Sequence, residues 1–233
     1  STPDRPGDRS APMILATIGQ KGGTGKTTVC VNVAAEFMRR GRAVCVIDAD
    51  PQGSARTWGD VATEAGRPAP TIVAMGAGLH RPDQAPALAR HFDVTVIDCP
   101  PRHGEVQRAA LAVVDLALIP CGPGPADLWA LAETLDLVAK AQETRPELKA
   151  AIVVTRRRRT ALGANARPAL EESGLPVLVA ELGLRSGYEE ALAAGQGVTT
   201  YAGASVAADE VRALVDEIEA LVRGRRGKRG KDG

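Results

Sequence analysis

The chain contains 233 residues, a length typical of one α/β domain, and 44% of them are hydrophobic whereas only 3% are aromatic. Such an aliphatic core is typical of a parallel sheet covered by helices. The net charge of +1 gives no general field for nucleic acid or membranes, and no apolar run approaches the ~20 residues that span a bilayer. We therefore expect a cytoplasmic protein with no membrane partner.

Short apolar runs alternate with helical patterns along the chain. Strands are predicted at Met13–Ile18, Ala43–Ile47, Thr71–Ala74, Val94–Ile97, Leu116–Ile119, Ala151–Val154 and Val177–Val179. Helices are predicted at Lys26–Arg40, Asp83–His91, Glu105–Val113, Asp127–Glu143, Leu162–Ser173, Tyr188–Ala194 and Ala207–Val222. The alternation predicts a doubly wound, mainly parallel α/β sheet flanked by helices, in one domain over residues 13–222. A disordered polar lead, residues 1–12, and a basic tail, residues 223–233, are expected to flank it.

The last predicted helix, Ala207–Val222, has an apolar face and allows two interpretations. It could bind a membrane next to the basic tail, or it could pack against the domain. Its polar face carries Asp209, Glu210, Asp216, Glu217 and Glu219. An anionic bilayer would repel these carboxylates, so we expect the helix to pack against the domain.

The strongest functional signal is the segment Gly19–Thr28, here called the phosphate loop, which reads GQKGGTGKTT between a strand and a helix. Glycines let such a loop curl so that its N–H groups point at phosphate oxygens, and the following helix adds its positive amino end. Lys26 is predicted to reach the β- and γ-phosphates of ATP, and the Thr27 hydroxyl to bind Mg²⁺. The predicted nucleotide-binding residues are Gly22, Gly23, Thr24, Gly25, Lys26, Thr27 and Thr28.

An additional lysine, Lys21, lies at the front of the phosphate loop. The pattern KGGTGKTT resembles the deviant Walker A loop of the ParA/MinD family, and the resemblance extends from about Ile14 to Val222. It implies a P-loop NTPase fold and a homodimer that sandwiches ATP, in which Lys21 reaches the partner's nucleotide. A cation there would also stabilise charge on the transferring phosphoryl group. Lys21 and Lys26 are therefore catalytic candidates.

Two acidic segments follow predicted strands, at the end of the sheet where ligands gather. Residues 48–53 read DADPQG and resemble the first switch of the family, which implies that Asp50 orients the attacking water and that Asp48 supports the Mg²⁺ shell. Residues 98–101 read DCPP and resemble the second switch, with Asp98 as the Walker B carboxylate. The implied metal residues are thus Thr27, Asp48 and Asp98.

Four cysteines, Cys30, Cys45, Cys99 and Cys121, are scattered through mostly apolar runs without a CxxC pair. Iron–sulfur reductases with similar loops need two cysteines placed to bridge a cluster, in glycine-rich contexts that this chain lacks. We therefore expect buried free thiols rather than a zinc site, a disulfide or a cluster.

The family includes switches that act on DNA and on membranes. The first predicted strand begins near residue 13 and leaves no room for a preceding helix-turn-helix, so the chain resembles the short, single-domain ParA type. Segments 153–157 (VVTRR), 184–191 (LRSGYEEA) and 197–201 (GVTTY) carry the same resemblance. It implies a nucleoid-associated protein whose ATP-bound dimer binds double-stranded DNA without sequence preference. It also implies a ParB-like or cargo-adaptor partner that stimulates hydrolysis.

A surface that reads only phosphates needs lysines and arginines. The candidates are Arg156, Arg157, Arg158, Arg159, Arg185, Arg225 and Arg226. Arg185 is chosen by resemblance, whereas the others belong to basic runs that could simply be solvated. Residues 156–159 could instead contact the adenine, because family members use the segment after this strand for that purpose.

The resulting expectation is a weak, partner-stimulated ATPase that segregates DNA or distributes a cargo. Plasmids, chromosomes, carboxysome-like compartments and chemoreceptor clusters are all cargoes of this family, and the partner chooses among them. The alternatives are a MinD-like membrane switch, a carboxylating synthetase that turns over without a partner, and a DNA-compacting protein that is indifferent to ATP.

Overall fold

The computed structural model describes residues 12–157 and 167–223. The strands are β1 (Met13–Thr17), β2 (Val44–Asp48), β3 (Thr71–Ala74), β4 (Val94–Asp98), β5 (Leu116–Cys121), β6 (Lys149–Arg157) and β7 (Val177–Gly183). They form one sheet in the order β3-β2-β4-β1-β5-β6-β7, and every adjacent pair is parallel. The predicted parallel α/β sheet is confirmed.

Helices connect the strands. They are α1 (Lys26–Arg39), α2 (Ser54–Glu64), α3 (Ala85–Ala89), α4 (Gly104–Leu111), α5 (Pro125–Thr144), α6 (Ser186–Ala193), α7 (Val198–Tyr201) and α8 (Val206–Arg223), with a 3₁₀ turn at Ala77–His80. Helices α2 and α7 were missing from the sequence prediction. The helix expected at Asp83–His91 is shorter and starts at Ala85, because Pro86 can occupy only the first turn of a helix.

Several sequence predictions lie outside the described residues. These are the lead up to residue 11, the segment 158–166 and the tail from residue 224. The helix predicted at Leu162–Ser173 is described only from residue 167, and residues 167–171 are helical. Within the described ranges no helix has the length and apolarity needed to cross a bilayer.

Helices cover both faces of the sheet. Side chains alternate between the faces along each strand, so that Leu15 on β1 enters one core and Ala16 enters the other. Helices α1, α2, α6, α7 and α8 pack on the first face, and α3, α4 and α5 pack on the second. Because all strands are parallel, their carboxyl ends meet at one edge of the sheet, where the connecting loops can form a binding site.

Helix α8 packs on the first core through Val211 and Leu214. The Glu217 carboxylate on this helix accepts hydrogen bonds from the backbone N–H groups of Val179 (2.9 Å) and Ala180 (2.6 Å) on the edge strand β7. It therefore satisfies donors that an edge strand would otherwise present to another chain. The prediction that this helix packs against the domain is confirmed.

A buried carboxylate, Glu36, ties α1 to α8. It accepts hydrogen bonds from Arg39 (2.7 Å) and Arg40 (2.8 Å), and Arg40 continues to Asp216 (2.7 Å) on α8. Burial opposes ionisation of Glu36, but the hydrogen bonds from the two arginines outweigh it and lower its pKa to about 2. This network fixes the helix that begins at the phosphate loop.

Replacing Glu36 by Gln is expected to lower the free energy of unfolding by about 2 kcal/mol at neutral pH, because two arginines lose their charged partner. The loss is smaller than for a fully buried pair, since Arg39 remains 42% exposed. The folded pKa lies below the usual 4.5, so the contribution of Glu36 is complete above that value and is lost as the pH falls toward 2.

Urea unfolding of wild type and Glu36→Gln at pH 7 and pH 4 measures this contribution. The difference between the two proteins should be smaller at pH 4. Asp209→Asn is the control, because Asp209 pairs with Arg212 on the surface while 74% exposed, and its loss should cost less than ~0.5 kcal/mol. A difference for Glu36→Gln that stays equal at both pH values would contradict the assigned ion pairs.

Candidate nucleotide site

The loops at the carboxyl ends of the strands enclose a cavity of about 520 Å³. The phosphate loop forms one wall, and residues between 182 and 189, at the end of β7 and the start of α6, form the opposite wall. Asp50 and Pro101, from the loops after β2 and β4, line the same cavity. Its position and volume are typical of a small-molecule site in an open α/β sheet.

The phosphate loop has the backbone shape that anion binding requires. Gly23 and Gly25 have φ values of 74° and 94°, which residues with a side chain rarely adopt. Helix α1 begins directly afterwards at Lys26 without a side-chain cap, so its first N–H groups are available to a ligand. Thr24 differs from the other predicted residues of the loop, because it does not line the cavity; it is buried, and its carbonyl accepts the Thr155 hydroxyl at 2.7 Å.

Lys26 lies inside this cradle. Its ammonium donates a hydrogen bond to the carbonyl oxygen of Lys21 at 2.8 Å. Burial lowers the pKa of Lys26 from its usual value, and the negative charge of Asp98 acts in the opposite direction. The side chain is thus already folded over the loop at the place where phosphates would bind.

Lys21 lies at the outer rim of the loop and points to α5 rather than into the cavity. Its ammonium forms an ion pair with the Asp127 carboxylate, at 2.5 Å. Asp127 is in the first turn of α5, and its other oxygen accepts the Gly124 N–H at 3.3 Å. Sequence reasoning did not identify Asp127, because it is far from Lys21 in the chain and has the ordinary features of a helix start.

Asp98 at the end of β4 is buried beside the phosphate loop. Its two carboxylate oxygens accept the hydroxyl groups of Thr27 (2.7 Å) and Thr17 (3.1 Å). Burial raises the pKa of Asp98 to about 6, although both hydrogen bonds act against this rise. Two residues predicted to hold Mg²⁺, Thr27 and Asp98, are therefore in direct contact.

Asp48 organises the loop that carries Asp50. Its oxygens accept the backbone N–H groups of Asp50 (3.1 Å) and Arg56 (3.0 Å) at the start of α2. Asp50 lines the cavity, and its carboxylate accepts the Gln52 N–H at 2.9 Å. The structure thus brings Asp50 to the cavity, whereas both oxygens of Asp48 bond to the protein itself.

The structure describes three of the arginines that were predicted to contact DNA, and each forms a hydrogen bond or an ion pair within the chain. Arg156 lines the nucleotide cavity and donates to the Gly23 carbonyl at 3.1 Å, with an unusual φ of 54°. Arg157 pairs with Glu181 at 2.6 Å, and Arg185 pairs with Glu210 at 2.6 Å. Arg158, Arg159, Arg225 and Arg226 lie outside the described residues.

The structure identifies one further residue at the site that the sequence analysis did not predict. Gln107 on α4 is buried, and its amide donates hydrogen bonds to the carbonyl oxygens of Gly19 (3.2 Å) and Pro100 (2.7 Å). It connects the phosphate loop to the loop after β4. A single glutamine within a helix gives no sequence signal for such a role.

All four cysteines are buried and free of disulfides, as expected. Burial raises the pKa values of Cys45 and Cys121 to about 12, so both remain thiols at neutral pH. Among the residues that the structure describes, no group of three or more His, Cys, Asp or Glu side chains is placed to hold a metal ion.

Comparison with known proteins identifies the family. The model of the "CobQ/CobB/MinD/ParA nucleotide binding domain" matches residues 15–198. The chain is 35% identical over 211 residues to "Maintenance of carboxysome distribution protein A" of Halothiobacillus neapolitanus, covering 88% of this chain and 96% of that protein.

Solved structures share the fold at low sequence identity. An aspartate-to-alanine variant of Cyanothece McdA with ATP superposes with a TM-score of 0.72 at 17% identity, covering 91% of this chain and 97% of that chain. MinD of Pyrococcus horikoshii with Mg-ADP superposes with a TM-score of 0.70 at 20% identity, covering 90% and 96%. The phosphate loop, the parallel sheet and the match of the family model all indicate the same family. This chain belongs to the CobQ/CobB/MinD/ParA family of nucleotide-binding domains, in its ParA/MinD branch.

Proposed function

We propose that this chain is a ParA-type positioning ATPase. ATP and Mg²⁺ drive formation of a dimer, the dimer binds nonspecific double-stranded DNA, and hydrolysis releases it. The observation that carries this proposal is the placement of two lysines in one loop. Lys26 is folded into the phosphate cradle, whereas Lys21 lies at the outer rim of the loop and contacts Asp127 of α5. One lysine suffices to bind phosphates within a chain, so a second one at the rim is suited to a nucleotide in another copy.

The donor set of the cavity fits Mg²⁺-ATP. The first N–H groups of α1 and the Lys26 ammonium would hold the phosphates. The Thr27 hydroxyl and the Asp98 carboxylate, which lie 2.7 Å apart, are the hard oxygen ligands that Mg²⁺ prefers. Asp48 would support the ion from the loop of Asp50. When bound, the ion would neutralise part of the charge on the β- and γ-phosphates. The ATP and Mg-ADP in the two related structures support this assignment.

Asp50 and Lys21 would carry the hydrolysis step. Asp50 reaches the cavity from a loop held by Asp48, which suits a carboxylate that orients the attacking water. Lys21 of the other copy would stabilise charge on the transferring phosphoryl group. Because neither switch loop offers a further base, we expect slow turnover alone and faster turnover with a stimulating partner.

A dimer can bind DNA where the single chain does not. The dimer presents twice as many cationic side chains as the single chain does. The affinity for DNA rises steeply with the number of phosphates that a protein contacts. Arg157 and Arg185 remain 50% and 38% exposed within their ion pairs, so both can also approach a phosphate. Arg158, Arg159, Arg225 and Arg226 remain candidates from sequence. Arg156 is better placed for the nucleotide than for DNA, since it lines the cavity.

The similarity to the carboxysome distribution protein extends over 96% of that protein's length and bears on the cargo. It supports a protein compartment as the cargo, with an adaptor protein as the stimulating partner. The protein would then be located on the nucleoid.

ATP-dependent DNA binding tests the proposal. The purified full chain is titrated onto a random-sequence duplex with ATP, with ADP and without nucleotide, across a salt series. We expect binding with ATP only, and a linear fall of log affinity with log salt. Vesicles of anionic lipid, with the same three nucleotide conditions, form the parallel arm.

Each alternative has its own outcome in this experiment. Equal DNA binding in all three conditions would indicate a DNA-compacting protein instead. ATP-dependent binding to vesicles without DNA binding would indicate a membrane switch. Rapid ATP turnover in the absence of both DNA and a partner protein would indicate a synthetase.

A further inference from the structure

Both lysines of the phosphate loop form contacts within their own chain. Lys26 donates to the main-chain oxygen of Lys21 at 2.8 Å, and the Lys21 ammonium pairs with Asp127 at 2.5 Å. Lys26 therefore contacts the backbone of Lys21, and Asp127 contacts the side chain of Lys21. A phosphate bound in the cradle would draw Lys26 away from the Lys21 carbonyl, and Asp127 would remain as the holder of Lys21.

Asp127 is fixed by the fold rather than resting on the surface by chance. Its carboxylate is only 11% exposed and accepts the Gly124 N–H at 3.3 Å. A side chain at position 122 would place its Cβ 2.5 Å from this carboxylate, so Gly122 makes room for it. Two helical turns further along α5, the Thr134 hydroxyl accepts the Gln20 N–H at 3.3 Å. The start of the phosphate loop and the first half of α5 are therefore joined at two points.

We propose that Asp127 is a positioning residue that holds Lys21 on its own chain and thereby sets the ATP concentration at which two chains associate. This inference rests on the ATP-dependent dimer of the proposed function. For Lys21 to reach a nucleotide in another copy, its ion pair with Asp127 must open. Asp127 therefore competes with the partner's phosphates for the same ammonium group and makes association weaker than it would otherwise be.

The size of the effect follows from the exposure of the pair. Lys21 is 34% exposed, which places the pair among partly solvated ion pairs. Such pairs change an equilibrium by about two- to fivefold. We therefore expect Asp127→Asn to lower the ATP concentration for half-maximal dimerisation by about that factor. Asn can still accept the Gly124 N–H, so the start of α5 is preserved.

The experiment measures dimer formation by sedimentation velocity across an ATP series. All proteins carry Asp50→Ala to prevent hydrolysis, and Asp127→Asn is compared with Asp127→Glu and with Asp136→Asn. Asp127→Glu keeps the carboxylate and should restore the parent's behaviour. Asp136 is 64% exposed on the same helix and pairs with Lys140 at 2.7 Å, so Asp136→Asn removes the same charge without touching Lys21. Binding of a fluorescent ATP analogue to dilute monomer should be equal in all four proteins.

The possible results separate this inference from the proposed function. If the Asp50→Ala parent does not dimerise with ATP, the proposed function and this inference both fall. If the parent dimerises and Asp127→Asn needs the same or more ATP, the proposed function stands and Asp127 has no such role. Equal shifts in Asp127→Asn and Asp136→Asn would also overturn the inference, since they would reflect a general charge effect. Thermal unfolding of each variant ensures that folded proteins are compared.

Discussion

Replacing Lys21 by alanine is expected to abolish the ATP-dependent dimer and to lower the hydrolysis rate by about 10³-fold or more, the range known for a cation supplied to the phosphoryl group from a second chain. The change removes no group from the chain's own cradle, where Lys26 and the start of α1 remain. Binding of ATP to the single chain should therefore persist. Single-turnover release of labelled phosphate measures the rate, and sedimentation measures the dimer.

Lys140→Ala is the matched control for this variant. Lys140 is an exposed lysine of α5 that pairs with Asp136, away from the cavity. It should leave both the dimer and the rate unchanged. Normal dimerisation and hydrolysis by Lys21→Ala would mean that the rim lysine does not act on a second copy, and the sandwich arrangement would then be wrong.

Replacing Asp50 by alanine is expected to lower hydrolysis by about 10²–10⁴-fold, the usual contribution of a group that assists proton transfer or orients water. Nucleotide binding and dimer formation should remain, because the phosphates would be held by the phosphate loop and the start of α1 rather than by Asp50. The ATP-bound dimer would then accumulate and stay on DNA. The measurements are labelled-phosphate release and the dissociation time from an immobilised duplex.

Asp60→Ala serves as the comparison, because Asp60 is an exposed aspartate of α2 just beyond the same loop. It should hydrolyse and dissociate as wild type does. If Asp50→Ala releases phosphate at the wild-type rate, the attacking water is oriented by another group. The loop after β2 would then serve only to shape the cavity.

Local patterns carried most of the fold prediction. All seven strands were predicted, because apolar, β-branched runs between turn residues are a short-range signal. Helix α2 was missed, since its small and polar residues follow the turn 51–53 and its buried side is formed largely by Ala55, Trp58 and Ala62. Such a weakly apolar face can be recognised as buried only when the sheet that covers it is known. Helix α7 spans a single turn, which is too short to show a period.

The sequence by itself determined where the candidate nucleotide site lies. Anion binding needs a continuous stretch of glycines, a lysine and a hydroxyl before a helix, and such a stretch is legible in the chain because its parts are adjacent. The carboxylates Asp50 and Asp98 were predicted in the same way, since Asp98 ends β4 and Asp50 lies two residues after the end of β2, at the binding edge of the sheet.

Only the tertiary structure decided which partners these groups have. Lys21 and Asp127 are 106 positions apart, and Gln107 reaches the phosphate loop across 88 positions. Likewise, Arg157 was a DNA-binding candidate from a basic run and Arg185 was one by resemblance, whereas the fold pairs each of them with a carboxylate. Hydrogen bonds and ion pairs act over a few ångströms in space, whereas distance along the chain carries no information about them until the sheet order is set. The residues that carry the chemistry were therefore visible in local sequence, whereas the partners of those residues depend on the packing of α4, α5 and α8 around the sheet.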